Sequence, residues 1–155
     1  MTIEIRRARR ADAETLTRLA HAAKRHWKYP EAWIALWADA LTVTPDFIER
    51  HPVYCAVEGE AIVGFYALTG AESAGATREL EHMWVAPDRI GGGVGRALLR
   101  HAIDRLRADG AVTLRIASDP YAEGFYRRMG ARRVADVPST PEGRTLPLLL
   151  LEPEE

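Results

Sequence analysis

The chain predicts an α/β (α+β) fold, a mixed sheet flanked by helices, on three observations. Short runs alternate apolar and polar residues near both ends of the 155-residue sequence, the period of a half-buried strand. Two longer stretches carry apolar residues at helical spacing, Leu16, Leu19, Ala20 and Ala23 in one, Val94, Leu98, Leu99, Ala102, Ile103 and Leu106 in the other. Residues 78–117 read as strand, glycine turn, helix, strand, a unit with parallel strands and a right-handed crossover. Strands, helices and strands in that order make a mixed sheet with helices on its faces.

The elements follow in order. Residues 2–8 form a first strand, 9–12 a turn, and 13–25 a helix with Asp12 as its N-cap. Pro30 opens a second helical stretch that places Trp33 and Trp37 one turn apart. Residues 45–50 add a further helical turn. Residues 53–57 and 61–68 form a hairpin about Glu58, Gly59 and Glu60. The small, polar run 70–77 is a loop, followed by a central strand over 78–85 and a long helix over 94–108. A strand over 112–117, a short helix over 122–129, and strands over 132–137 and 146–151 joined by the loop 138–144 complete the sheet. One domain is expected over 1–155, since this length and 47% apolar content suffice for one core.

Composition excludes several function classes. A net charge of −1 supplies no basic field to gather nucleic acid, so no nucleic-acid partner is expected. No apolar run approaches the ~20 residues of a membrane span, and the alternating N-terminus lacks a signal-peptide core. Cys55 is the single cysteine, so no intramolecular disulfide forms, and a reducing, cytoplasmic location is the expectation. As an isolated cysteine among apolar neighbours, Cys55 reads as a small hydrophobe.

The most informative stretch is VAPDRIGGGVGR over 85–96. A glycine cluster between strand and helix crowds backbone N–H groups at a helix N-terminus, where orphan donors and the helix dipole favour an anion. Glycines let a phosphate approach the backbone closely. A Walker-type loop needs Lys followed by Ser or Thr after its last glycine, and Gly95 is followed by Arg96 and Ala97. A dinucleotide fingerprint beginning at Gly91 needs glycine or alanine where Arg96 stands. Ile90, Gly91, Gly92, Gly93, Val94 and Gly95 instead resemble the pyrophosphate loop of the GCN5-related N-acetyltransferase (GNAT) superfamily, with Ile90 where that pattern carries Arg or Gln. A second block, SDPYAEGFYRRMGA over 118–131, is similar to the superfamily's strand-to-helix segment: Ala122, Phe125, Tyr126 and Gly130 fall at matching offsets, with Asp119 at the Asn position.

The resemblance spans the chain and implies a mostly antiparallel sheet whose two parallel central strands splay apart. It implies acetyl-CoA as co-substrate: its pantetheine arm along Met83, Trp84 and Val85, its pyrophosphate on the backbone from Ile90 to Arg96, with Asp119 and Tyr126 also at the cofactor. No metal is implied. Tyr126 matches the superfamily's general acid; as a residue alone it reads equally as a core tyrosine beside Phe125.

Acetyl transfer from a thioester to an amine needs a base for the amine, a stabilised carbonyl oxygen and a proton for the departing thiolate. When both substrates meet in one site, proximity makes a covalent enzyme intermediate unnecessary. Strand alternation places Glu79, Glu81, Met83 and Val85 on one face of residues 78–85, and Leu80, His82 and Trp84 on the other. Glu81 ranks above Glu79 as the base, acting directly or through water, and His82 reads as structural. Trp27, Tyr29 and Trp33, with Glu81, form the expected acceptor pocket, where aromatic faces attract a cation; Trp33 and Trp37 also read as packing residues. The expected acceptor is a small-molecule amine, and a homodimer is left open. Two other classes remain, a protein or peptide N-acetyltransferase and a non-catalytic acyl-CoA sensor. Retention of Tyr126, Glu79 and Glu81 favours an enzyme over the sensor.

Overall fold

The structure, a computed structural model, describes residues 2–70 and 75–153. Strand β1 (Glu4–Arg7) leads through a 3-10 turn at Arg10–Asp12 into helix α1 (Ala13–His26). Helices α2 (Glu31–Leu36) and α3 (Pro45–Arg50) precede the hairpin of β2 (Val53–Glu58) and β3 (Ala61–Thr69). Strand β4 (Thr77–Val85), helix α4 (Val94–Ala108) and strand β5 (Thr113–Ala117) form the expected central unit. A 3-10 turn at Pro120–Ala122, helix α5 (Glu123–Arg128), and strands β6 (Arg132–Pro138) and β7 (Thr145–Leu151) end the chain. Four residues of the expected loop, 71–74, lie outside the described residues.

The seven strands form one sheet in the order β1-β2-β3-β4-β5-β7-β6. Among the described residues, only β4 and β5 pair in parallel. Their pairing covers Thr77, Arg78 and Glu79 against Thr113, Leu114 and Arg115, and beyond it the strands part. Strand β5 turns its other edge to β7, pairing Ile116 with Leu149 and Ala117 with Leu148. The sheet is thus two half-sheets, β1–β4 and β5–β7–β6, joined at three residue pairs.

The two faces bury different cores. On one, Leu98, Leu99, Ala102 and Leu106 of α4 pack over Val63, Tyr66 and Leu68 of β3 and over Leu114, Ile116, Leu149 and Leu151, so this apolar core spans both half-sheets. On the other, Leu16, Leu19 and Ala20 of α1, with Ile34, Trp37 and Ile48, pack over Val53, Cys55, Phe65 and Ala67. Among the described residues, that second core draws on no residue of β5, β6 or β7. Gly64 sits where β3 passes under α4: a Cβ there would stand 2.9 Å from the Trp84 carbonyl oxygen and 3.0 Å from Val94 and Leu98.

Two local expectations are corrected. Asp12 does not cap α1; its carboxylate accepts the Arg9 N–H at 2.8 Å and the Arg6 guanidinium at 2.9 Å. A strong cationic partner from β1 outcompetes the helix amides, and the salt bridge holds the Asp12 carboxyl below its usual range despite burial. Strict alternation along β4 also fails. Leu68 pairs with Leu80 and Ala67 with His82, so Glu81 is an extra residue at a bulge. Leu80 therefore joins Met83 and Val85 on the α4 face, while His82 and Trp84 face the helices before β2. Cys55 is fully buried and its thiol is pushed up to about 12 by that burial, as fits a small hydrophobe.

Candidate active site

The parting of β4 from β5 opens a cleft of about 710 Å³. Leu80, Glu81, Met83, Trp84 and Val85 line one wall and Ile116, Ala117, Ser118 and Asp119 the other. Because β4 loses its β5 partner after Glu79, the backbone edge along 80–85 faces the cleft without strand pairing. Such an edge is a template for an extended ligand carrying amide groups.

One end of the cleft is the glycine turn. Gly91 and Gly93 lie at φ 84° and 90°, and Gly93 is the N-cap of α4. L side chains are strained in this region, while glycine adopts it freely. The first α4 backbone bond at this end runs from Ala97 N–H to the Gly93 carbonyl at 3.0 Å, so the first α4 amides, Val94 to Arg96, are orphan donors aimed out of the helix, while the Gly92 N–H donates to the Arg89 carbonyl at 3.2 Å. Ile90, Gly91, Gly93, Gly95 and Arg96 line the cleft here. Gly92 and the buried Val94 do not. Arg89 is turned away, its guanidinium 2.9 Å from Glu58 of β2. A Cβ on Gly95 would come within 3.3 Å of the Phe125 ring, so the bare backbone here lets α4 approach α5.

Tyr126, on α5, lines the same cleft. The residue is only 5% exposed yet lines the cleft, and its hydroxyl has no hydrogen-bond partner among the described residues. Burial, and secondarily the Asp119 charge, raise its pKa well above the ordinary phenol value, which keeps it a protonated donor. Glu81 lines the cleft from the bulge, solvent-exposed, with only a long 3.4 Å contact from the Thr69 hydroxyl among the described residues. Glu79 lies outside the cleft and accepts from Arg115 at 2.9 Å. His82 is buried behind β4; Trp84 Nε1 donates to its Nδ1 at 3.0 Å. Desolvation depresses the imidazole to about 4, so it is neutral at pH 7.

The other end is aromatic. Trp27, at the end of α1, stacks on Tyr121 with centroids 4.9 Å apart and planes 5° from parallel, and both line the cleft with Ala23 and Trp84. Tyr29 and Trp33 do not reach it. Trp33 packs into the second core, while the Tyr29 hydroxyl bonds the Asp119 carboxylate at 3.1 Å. Trp33 and Trp37 meet edge-on at 5.9 Å, as packing residues do.

Sequence reasoning missed the centre of this end. Lys24 Nζ lies 2.6 Å from Asp119 Oδ2, with the two side chains 10% and 13% exposed. Arg144, from the turn between β6 and β7, donates to Tyr29 Oη at 3.1 Å and approaches Asp119 at 4.0 Å. Lys24 sits over the faces of Trp37 and Tyr29, at 4.5 and 4.9 Å. Burial lowers the Lys24 pKa, opposed by Asp119, and pushes Tyr29 up to about 12. The signal for Lys24 was present: it continues the stripe of Leu16 and Ala20 at four-residue spacing, and a cation in a buried stripe requires a partner. Nothing local in the sequence names Arg144 as part of that set.

Known proteins share both sequence and architecture with this chain. Its sequence is 26% identical to the peptidyl-lysine N-acetyltransferase YjaB of Escherichia coli (strain K12), with 97% of each chain covered. Its fold matches the PaiA N-acetyltransferase of Thermoplasma acidophilum, solved with coenzyme A, at a TM-score of 0.80 and 19% identity, covering 99% of this chain and 100% of that one. It matches YncA of Salmonella typhimurium, a putative acetyltransferase solved with acetyl-CoA, at 0.70 and 23% identity, covering 100% and 96%. The sequence profile of the Acetyltransferase (GNAT) family matches residues 13–131, from the start of α1 past the end of α5. The chain therefore belongs to the GNAT acetyltransferase family and is an N-acetyltransferase.

Proposed function

We propose that the chain transfers the acetyl group of acetyl-CoA directly to the primary amine of a small molecule, with both substrates bound in the one cleft. The observation that carries this reading is the continuity of the cleft: the glycine turn, the unpaired edge of β4, the Tyr126 hydroxyl and the Trp27–Tyr121 wall all line one space. The pyrophosphate would sit on the backbone amides from Gly91 to Arg96, and the pantetheine arm along Met83, Trp84 and Val85. Ile90 contributes an apolar edge to that turn, so main-chain amides and Arg96 carry the anion contacts. Asp119 borders the cofactor, but its carboxylate is already held by Lys24 and Tyr29.

In the reaction, a C–N bond forms as the thioester C–S bond breaks. Glu81, directly or through a water, takes the amine proton, and the Tyr126 hydroxyl gives its proton to the departing thiolate. The engagement of Glu79 by Arg115 supports Glu81 as the base. Thiol release from acetyl-CoA, measured over a panel of amines, amino acids, aminoglycosides and peptides, tests the reading. Amine-dependent release with small molecules supports it. Tight acetyl-CoA binding with no release across the panel overturns it in favour of a sensor.

A second reading has its own support. The relative YjaB acts on peptidyl-lysine, and the similarity extends over the full length of both chains. Faster turnover on lysine peptides than on every small amine would assign this chain a polypeptide acceptor.

A further inference from the structure

We propose that Lys24, Asp119, Tyr29 and Arg144 form a polar latch across the split in the sheet, setting the width of the acceptor end of the cleft, with Lys24 and Arg144 as positioning residues for Tyr121 and Tyr126. The proposal rests on the acetyltransferase reading only for its kinetic readout.

The two faces of the sheet solve the same problem differently. On the α4 face, one apolar core runs across both half-sheets and ties them together. On the α1 face, the apolar core stops at Trp84, and polar and ring contacts bridge the gap. Lys24 of α1 and Tyr29 of the connection to α2 belong to the side packed on β1–β4; Asp119, just after β5, and Arg144, just before β7, belong to the β5–β7–β6 half. Trp37 Nε1 donates to the Thr140 carbonyl oxygen at 3.0 Å, and the Trp27–Tyr121 stack crosses the same gap. Apolar packing is non-directional and would collapse an unfilled gap, whereas long charged side chains meeting at fixed bond lengths hold two walls at a set separation.

Asp119 makes this geometry matter for chemistry. The same carboxylate that binds Lys24 accepts the Tyr121 N–H at 2.9 Å, capping the turn that begins at Pro120 and runs directly into α5. A displacement of Asp119 therefore moves the Tyr121 ring at the acceptor mouth and the helix that carries Tyr126. The glycine turn that would hold the pyrophosphate carries no residue of the latch and lies beside the apolar core, so loosening Lys24 or Arg144 should change acetyl-CoA affinity far less than acceptor turnover, although Asp119 borders the same cleft.

The test compares Lys24→Met, Lys24→Arg, Arg144→Met and Tyr29→Phe in the full chain. Acetyl-CoA affinity is measured by calorimetry, acceptor kinetics with the best amine from the panel, and hydrogen exchange at the Tyr121 amide. Lys24→Met and Arg144→Met should lower kcat/KM for the amine at least tenfold, leave acetyl-CoA affinity within about twofold, and accelerate Tyr121 exchange. Lys24→Arg should recover most of the loss. Tyr29→Phe removes one hydroxyl without removing a charge, and serves if the charge variants do not fold; it should give the same pattern at reduced size. Parent-like kcat/KM together with parent-like exchange in Lys24→Met, or in Tyr29→Phe where Lys24→Met does not fold, overturns the latch. So does a fall in acetyl-CoA affinity parallel to the fall in acceptor kinetics. If the parent itself acetylates no amine, the functional reading fails, and the exchange measurement still decides the latch.

Discussion

Glu79 and Arg115 meet at 2.9 Å on the last pair of residues that β4 and β5 share before they separate. The ion pair marks the apex of the split and holds one of the two carboxylates out of the cleft. Glu81, two residues on and displaced by the bulge, is the acid left facing it.

That division predicts unequal variants. Glu81→Gln should reduce turnover by about 10² or more, as loss of a positioned base does, with the defect widest at lower pH where the amine is hardest to deprotonate. Glu79→Gln should leave turnover within a few-fold and affect stability little, because a pair about one-third exposed contributes roughly 0–1 kcal/mol. Steady-state kinetics of both variants across pH checks the assignment, and equal defects would remove it.

Tyr126→Phe keeps the ring against Phe125 but deletes the hydroxyl. Turnover should fall by about 10²–10⁴, with acetyl-CoA affinity scarcely changed, since the lost proton matters chiefly in the transition state. Unchanged turnover would return this tyrosine to the core.

Glycines at the cleft should separate by mechanism. Gly93→Val places a branched side chain at φ 90°, a backbone cost of about 1–2 kcal/mol, although its Cβ has no heavy atom within 4 Å. Its larger effect should be on acetyl-CoA, weakened at least tenfold by distorting and covering the anion site. Gly64→Ala should instead destabilise by roughly 1–3 kcal/mol through its collision with the Trp84 carbonyl, Val94 and Leu98. Calorimetric binding and thermal melts distinguish the two.

The buried His82 gives stability a pH dependence of definite sign. Its folded-state pKa of about 4 lies below the ordinary 6.5, so between these values the unfolded chain binds more protons. The neutral His82 contribution is complete above pH 6.5 and is lost as pH falls toward 4, at up to about 1.4 kcal/mol per pH unit. Melts of His82→Asn, whose side chain can still accept from Trp84, should have a shallower slope in this window than the parent.

Lys28 is the one non-glycine residue at positive φ among the described residues, at 60°, just past α1. Lys28→Gly should raise stability by about 1 kcal/mol, because a left-handed position after a helix favours glycine. A lower melting temperature would show that the Lys28 side chain itself stabilises the connection.

Periodicity and short motifs determined the element order and the strand–glycine turn–helix unit, because each depends on neighbours close in the chain; that Tyr126 shares a cleft with Gly91 and Gly93 is implied by the resemblance to the GNAT superfamily and needs the tertiary fold. The bulge at Glu81 is different: it arises from how β4 registers against β3, and alternation within one strand carries no record of its partner. Asp12 fails a local rule for the same reason: it reads as a helix cap until Arg6 of β1 is brought beside it. Asp119, placed at the cofactor by the resemblance, lines the cleft, and Lys24 and Arg144, 95 and 25 positions away along the chain, also converge on it. Charges act through space, so only the tertiary fold decides which opposite charge lies nearest and which carboxylate remains free for chemistry.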